Sequence, residues 1–326
     1  MIDRGLLYKE WKHHQSLFMT IFCVLFLITP ASIIDQYNDY QNILHNFSDR
    51  ARFVIDYTPT GSILSTWRIG IAIILAIFQL GVERSRGWLD FTLSLPYTRS
   101  QVFNTKFLLG GMVLITSQLL SYLLSEVLLI ILKPESVLFF QHYMIGSLVV
   151  SFMAYALVMA AGAMTGHIFA QLLTAFSVTI MPFLLIVLPF LNLRILFERD
   201  SFWHHLSLID NTLLQFCIPI IYINAGAWLS ESMYILLIPA TMSILFYLIG
   251  YCCFIKHPSE RTGSFFLWKQ LDRPVQILVI IFGILGFGYM GYDADDSLIG
   301  YGVGMIIGAV VGFLVSYFLI YKKTKY

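Results

Sequence analysis

Charge is what this 326-residue chain has least of. Only 12% of its residues are Asp, Glu, Lys or Arg, about half the share of an ordinary soluble domain. A water-soluble protein of this size has too few such groups to cover its surface. Net charge is +1, with 20 bases against 19 acids, so the basic excess that marks nucleic-acid binding is missing. The four cysteines, Cys23, Cys217, Cys252 and Cys253, are too few and too scattered for a disulfide framework and read as small apolar fillers. There is no Gly-x4-Gly-Lys-Ser/Thr loop, so ATP in the P-loop manner would have to come from another chain. There is no Gly-x-Ser-x-Gly elbow. His13-His14 and His204-His205 lack the glutamate and the i, i+4 spacing of a zinc helix. Nothing here predicts a catalytic site, a metal or a cofactor. The polar first segment carries Glu10 among its bases, and no small-residue cleavage site follows Thr29-Pro30, so the first apolar run is expected to stay as an anchor.

Apolar residues make up 58% of the chain and aromatics 16%, and mean hydropathy is +0.77. A bilayer core of about 30 Å needs about 20 apolar residues per helix. Eight runs qualify, at 17–34, 61–82, 107–132, 143–165, 171–193, 232–255, 274–292 and 298–321. No alternating barrel pattern is present, and lipid tolerates no unpaired backbone, so the expected class is an all-α polytopic membrane protein in one transmembrane domain. With both termini on the cytoplasmic side, 14 of the 20 bases fall in inner segments, and Asp35, Asp39, Asp49, Asp56, Glu198, Asp200, Asp293, Asp295 and Asp296 fall in outer ones. The stretch 194–231 is an outer loop, whose residues 206–229 are read as short interfacial or re-entrant helices rather than a ninth span.

Ionisable groups within the spans are rare. Glu126 lies inside the third run, and Arg68 one to two turns into the second. Such groups are functional candidates by default, because lipid makes them costly. Glu126 reads either as a carboxyl near the headgroups or as a substrate or proton site; Arg68 is expected to snorkel outward along its stem. One buried acid makes a poor proton relay, which argues against a carrier driven by an ion gradient. That carrier stays as the alternative, with a non-transporting recruiter of an ATPase as a third.

Three inner stretches are patterned. Residues 1–16 mix Leu6, Leu7, Tyr8 and Trp11 with bases, as a headgroup-layer helix does. Residues 83–106 run Glu83-Arg84-Ser85-Arg86-Gly87-Trp88-Leu89-Asp90-Phe91-Thr92-Leu93-Ser94-Leu95-Pro96. A short helix from Gly87 to Leu95 sets Trp88, Phe91 and Leu95 along one side, Pro96 stops it, and Thr98 with Gln101 forms a capping box for the next helix. Large apolar groups on a loop between spans mark a partner or membrane contact, with Glu83, Arg84, Arg86 and Arg99 placed to fix the register of a docked partner. The third stretch, 256–273, is expected to form a second interfacial helix after Gly263. In the last two runs Gly283, Gly286, Gly288 and Gly291, then Gly300, Gly304, Gly308 and Gly312, predict a close helix approach.

The opening Leu7-Tyr8-Lys9-Glu10-Trp11-Lys12, the Glu83-Arg84 to Leu93-Ser94-Leu95-Pro96-Tyr97-Thr98-Arg99 stretch and His257-Pro258-Ser259-Glu260-Arg261-Thr262-Gly263 resemble the transmembrane subunits of ABC-2-type ABC exporters. More narrowly they resemble the Ytr-type permeases of Firmicutes linked to acetoin utilisation. The resemblance implies an elbow helix at 1–16 and a coupling helix in 83–106. It assigns ATPase docking to Glu83, Arg84, Arg86, Gly87, Trp88, Asp90, Phe91, Leu95 and Arg99. It implies ATP and magnesium on a partner ATPase, a second permease chain alike or homologous, and a multi-pass place in the bacterial plasma membrane. The usual family core has six spans, against eight counted here.

Overall fold

The computed structural model describes residues 3–47, 52–197, 218–224, 233–256, 264–295 and 297–320. The chain runs α1 (Arg4–Phe47), β1 (Val54–Asp56), α2 (Tyr57–Ala76), a π-helical segment (Ile77–Val82), α3 (Glu83–Ser85), α4 (Trp88–Ser94), α5 (Arg99–Leu132) and β2 (Ser136–Leu138). It continues with α6 (Phe140–Met164), α7 (Ile168–Phe197), two 3-10 turns (Pro219–Ile223 and Met233–Leu236), α8 (Leu237–Lys256), α9 (Lys269–Asp295) and α10 (Leu298–Ile320). Among the described residues eight helices are long and apolar enough to cross a membrane, matching the eight runs of the sequence. The protein is an all-α polytopic membrane protein.

Segment 4–16 is helical but does not form a separate element. It continues without a break into the first span, giving one helix of 44 residues, about 66 Å long at 1.5 Å per residue. That exceeds a bilayer core, so its far end stands beyond the apolar layer. There Tyr37 and Tyr40 pack on Phe53, at ring distances of 5.5 and 5.0 Å. Beside them β1 pairs in parallel with β2, Val54 opposite Ser136 and Asp56 opposite Leu138.

The core is built around α6, which has 72% of its apolar window buried, whereas α9 has only 6%. One cluster gathers Leu6, Phe18, Leu80, Leu89, Phe103 and Tyr155 at the end that carries α4, hereafter the proximal end. A second gathers Ile33, Ile55, Tyr57, Ile69 and Tyr143 at the distal end. Both described chain ends are proximal: Lys9 touches α4 through Thr92, and Leu319 packs against Phe265 and Phe266 beside the α6–α7 turn.

The glycines of α9 and α10 do what small residues do in lipid, where close packing replaces the hydrophobic drive. A Cβ on Gly283 would stand 2.5 Å from the Gly308 carbonyl oxygen, and Gly291 and Gly300 face each other's backbones in the same way. The hairpin joins the rest through α7, where the Asn192 amide donates to the Leu285 carbonyl at 3.1 Å.

One expectation fails in the described part of 256–273. Residues 264–268 are a bent, irregular segment rather than a helix: Phe266 bridges Thr165, the Leu267 amide donates to the Met164 carbonyl at 3.0 Å, and the helix starts only at Lys269. The free carbonyls at the end of α6 give this segment backbone partners that a helix would refuse. Most of 194–231, including Asp210, Asn211 and Gln215, and all of 257–263 lie outside the described residues.

Candidate functional site

The short helix of the 83–106 loop stands out as Trp88–Ser94, with Gly87 before it at φ +73° and Leu95 extended after it. Gly87 turns the chain in the left-handed region that suits glycine. Pro96 blocks continuation, and α5 then opens on the expected box: the Gln101 amide donates to Thr98 Oγ1 at 3.3 Å while the Thr98 amide donates to Gln101 Oε1 at 2.9 Å. Leu89 points inward and is fully buried, so it anchors the helix. The opposite side presents Phe91, 63% exposed, and Trp88, 40% exposed. The Arg86 guanidinium lies 4.9 Å over the Trp88 ring, and His13 of α1 meets that ring edge-on at 4.6 Å. Arg86, Gly87 and Asp90 are exposed, and Leu95 is half-buried. Arg99 is half-buried and donates to the Ile255 carbonyl at 3.5 Å.

Glu83 and Arg84, assigned to this face by resemblance, turn the other way. Arg84 is buried and donates to the Gly162 carbonyl at 2.5 Å and to the Thr165 carbonyl, capping the negative end of α6. Glu83 is buried too. Both its oxygens lie 2.6 Å from Lys106 Nζ, and Oε1 lies 2.5 Å from His14 Nε2. Lys106 also donates to Glu10 at 2.5 Å, and Lys9 links Glu10, at 2.8 Å, to Thr92 Oγ1, at 2.5 Å. A chain of charges therefore runs from α1 through the root of α5 to α3 and touches α4. These two side chains are spent inside the protein because a carboxylate and a guanidinium at the end of a span find buried partners there.

The cluster was not assembled from the sequence, although each member sat at the edge of an apolar run. Two neutral polar residues of the spans, Gln79 and Gln171, stand out in the sequence and lie beside the cluster. Gln79, within the π-helical segment, donates to the Lys106 carbonyl at 3.0 Å and accepts from the Tyr155 hydroxyl at 2.7 Å. Gln171 donates to the Val158 carbonyl at 3.0 Å. A π-helical turn inside a span is uncommon and recurs at functional sites; this one ends on Glu83. Among the described residues His13, His14 and Glu83 stand near enough for a metal ion, but the Glu83 carboxylate is already held by the Lys106 ammonium.

Arg68 and Glu126 do not meet. Arg68 does not snorkel: it is fully buried, with Nη1 donating to Ser147 Oγ at 2.5 Å and to Gln118 Oε1 at 3.4 Å, and Nη2 donating to Thr29 Oγ1. Hydroxyl and amide acceptors on α1, α5 and α6 give it an inward alternative that sequence reading cannot see. Glu126 is half-buried on α5, near Tyr122 one turn earlier, with no ion pair among the described residues.

No family model matches the chain. Two curated relatives match over its whole length. The probable ABC transporter permease YtrD of Bacillus subtilis (strain 168) is 49% identical over 328 residues, covering 100% of this chain and 99% of the relative. The probable ABC transporter permease YtrC of the same strain is 53% identical over 333 residues, covering 100% of both. Eight apolar helices, no nucleotide loop of its own and end-to-end identity near half lead to one assignment: the chain belongs to the ABC transporter permeases.

Proposed function

We propose that this permease is the membrane half of an exporter driven by separate ATPase subunits, and that they dock on the exposed side of α4. The observation that carries this is the pair Trp88 and Phe91, 40% and 63% exposed on a helix of seven residues whose other side is anchored by Leu89. Large rings held out on a rigid stub are what an interface core uses. Arg86, Gly87, Asp90, Leu95 and Arg99 frame the contact; Glu83 and Arg84 support it from within. The proximal end is then cytoplasmic. The exposed Arg4, Lys12, Arg86, Lys256, Lys269 and Arg273 at that end support the assignment.

In this reading ATP and magnesium sit on the partner, and this chain contributes no catalytic group. Two permease chains, alike or homologous, enclose the path in a bacterial plasma membrane. When the ATPases close, α4 moves with them. Its displacement reaches α1 through Lys9–Thr92 and reaches α5 through Glu10–Lys106, which makes nucleotide binding and the spans two coupled sites. The test is Trp88→Ala and Phe91→Ala in the assembled transporter. Loss of ATPase co-purification or of substrate-stimulated turnover, with the spans still folded, is expected. Retention of both in the double variant overturns the docking.

A further inference from the structure

Three cations are buried among the described residues, Arg68, Arg84 and Lys106; Arg84 rests on the carbonyl end of α6, which carries partial negative charge, and of the three only Lys106 pairs with carboxylates. Lys106 sits between Glu10 and Glu83. Arg68 lies in the distal half among neutral groups: Ser147, Gln118, Thr29, the Met144 sulfur at 3.9 Å and the Tyr143 ring at 5.2 Å. These pass their hydrogen bonds to more neutral groups, Ser147 to the Met144 carbonyl at 3.2 Å and Gln118 to Ser151 Oγ at 2.9 Å. No carboxylate pairs with Arg68 among the described residues, and its Nε–H is buried without a partner. A guanidinium cannot shed its proton, so the charge stays, and a buried ion without a countercharge is costly.

The two sides of the guanidinium are used unequally. Nη1 is held by α5 and α6. The Nε–Nη2 edge, which offers two parallel N–H groups and is the side that grips an oxyanion bidentately, has one oxygen on it, from Thr29 of α1. The residue after Thr29 is Pro30, inside the helix. Proline has no N–H to give the Phe26 carbonyl and weakens the helix at this point.

We propose that Arg68 anchors a binding site for the oxyanion of a carboxylate or phosphate group, taken on its Nε–Nη2 edge when α1 bends in the Phe26–Pro30 turn and draws Thr29 off that edge. In the closed state described here the Thr29 hydroxyl occupies that edge. The anion replaces one hydroxyl by two charge-assisted bonds and supplies the missing negative charge, while Ser147 and Gln118 keep Nη1 in place. The substrate class for this permease is then an anionic molecule, or an amphiphile with an anionic head. The purpose rests on the permease assignment; the binding needs no ATPase, so failed docking at Trp88 leaves it standing, and the reverse also holds.

The test uses the full chain in phosphatidylcholine nanodiscs. Apparent Tm is followed against inorganic phosphate, acetate, dodecyl phosphate and phosphatidylglycerol, at constant ionic strength in chloride. The wild type is expected to show a saturable upward shift that is lost in Arg68→Gln, weakened in Arg68→Lys and reached at several-fold lower ligand in Thr29→Val. A response to phosphate or acetate places the source in water; a response to the two amphiphiles alone places it in the lipid layer. A wild type indifferent to all four overturns the proposal. So does a response unchanged in Arg68→Gln, or, should that variant not fold, one unchanged in Thr29→Val.

Discussion

Lys106 and Glu83 meet head-on, the ammonium 2.6 Å from both carboxylate oxygens, with each side chain only 1% exposed. Glu10 takes the same ammonium from the other side at 2.5 Å. Removing the cation strands two buried acids without their counterion. Lys106→Met is therefore expected to destabilise the chain by about 3–5 kcal/mol, read as the loss of folded protein in a thermal series. The triple change Glu10→Gln, Glu83→Gln, Lys106→Met should recover most of that loss. Equal damage in the single and triple variants would show that the cluster is not electrostatic in origin.

Gly87 has φ +73° and open space where a Cβ would go. Gly87→Ala is therefore limited by backbone conformation rather than by clash, at about 1–2 kcal/mol. Asparagine tolerates this region better, so Gly87→Asn should cost less. Proteolysis of the 83–98 segment in the folded chain reports the order Gly, Asn, Ala; an alanine variant as protected as the wild type contradicts it.

Gly308 sits against the Gly283 backbone, and a Cβ there would overlap its carbonyl oxygen. Gly308→Val should separate α9 from α10 and cost about 1–3 kcal/mol. A disulfide engineered between the helices near Gly291 and Gly300 should form in the wild type and fail in the variant. Gly302 has nothing within 4 Å of its own Cβ position, and Gly302→Val serves as the silent control.

His167 stands just before α7, where its Nδ1 accepts the Ala170 amide at 3.1 Å. Accepting requires a neutral ring, and burial holds the pKa of the imidazole below its ordinary value. With the folded pKa depressed, the ring's contribution is complete above the unfolded pKa. It is lost as pH falls through that value toward the folded one. Loss of such a cap is worth about 1 kcal/mol. Hydrogen exchange at the start of α7 should accelerate on acidification, and His167→Asn, which caps without titrating, should flatten that dependence.

The eight spans were legible because lipid imposes one requirement, length of apolar run, that a linear sequence displays directly. The stop at Pro96 and the box of Thr98 with Gln101 were legible for a similar reason, since both are local in the chain. Arg68 was misread because its acceptors come from residues as far away in sequence as Thr29, Gln118 and Ser147. The burial of Glu83 and Arg84, which the resemblance assigns to docking, was hidden for the same cause. Their neighbours in sequence are exposed, and only the return of α5 and α6 past α3 supplies the buried Lys106 and a set of free carbonyls. The continuity of 4–16 with the first span was hidden because polar and apolar residues there satisfy an interfacial helix equally well.

The α9–α10 hairpin has a consequence for biogenesis. Its two helices are sealed backbone to backbone by their glycines, and they meet the body at Asn192 and at the Ala170, Phe265 and Phe266 cluster. A unit that satisfies itself in this way can enter the bilayer already zipped, after the older part of the chain has settled. Cutting the chain between Trp268 and Lys269 would spare the contacts of Phe266 and Leu267 with the α6–α7 turn, and the hairpin is then a fender bolted to the flank of the machine.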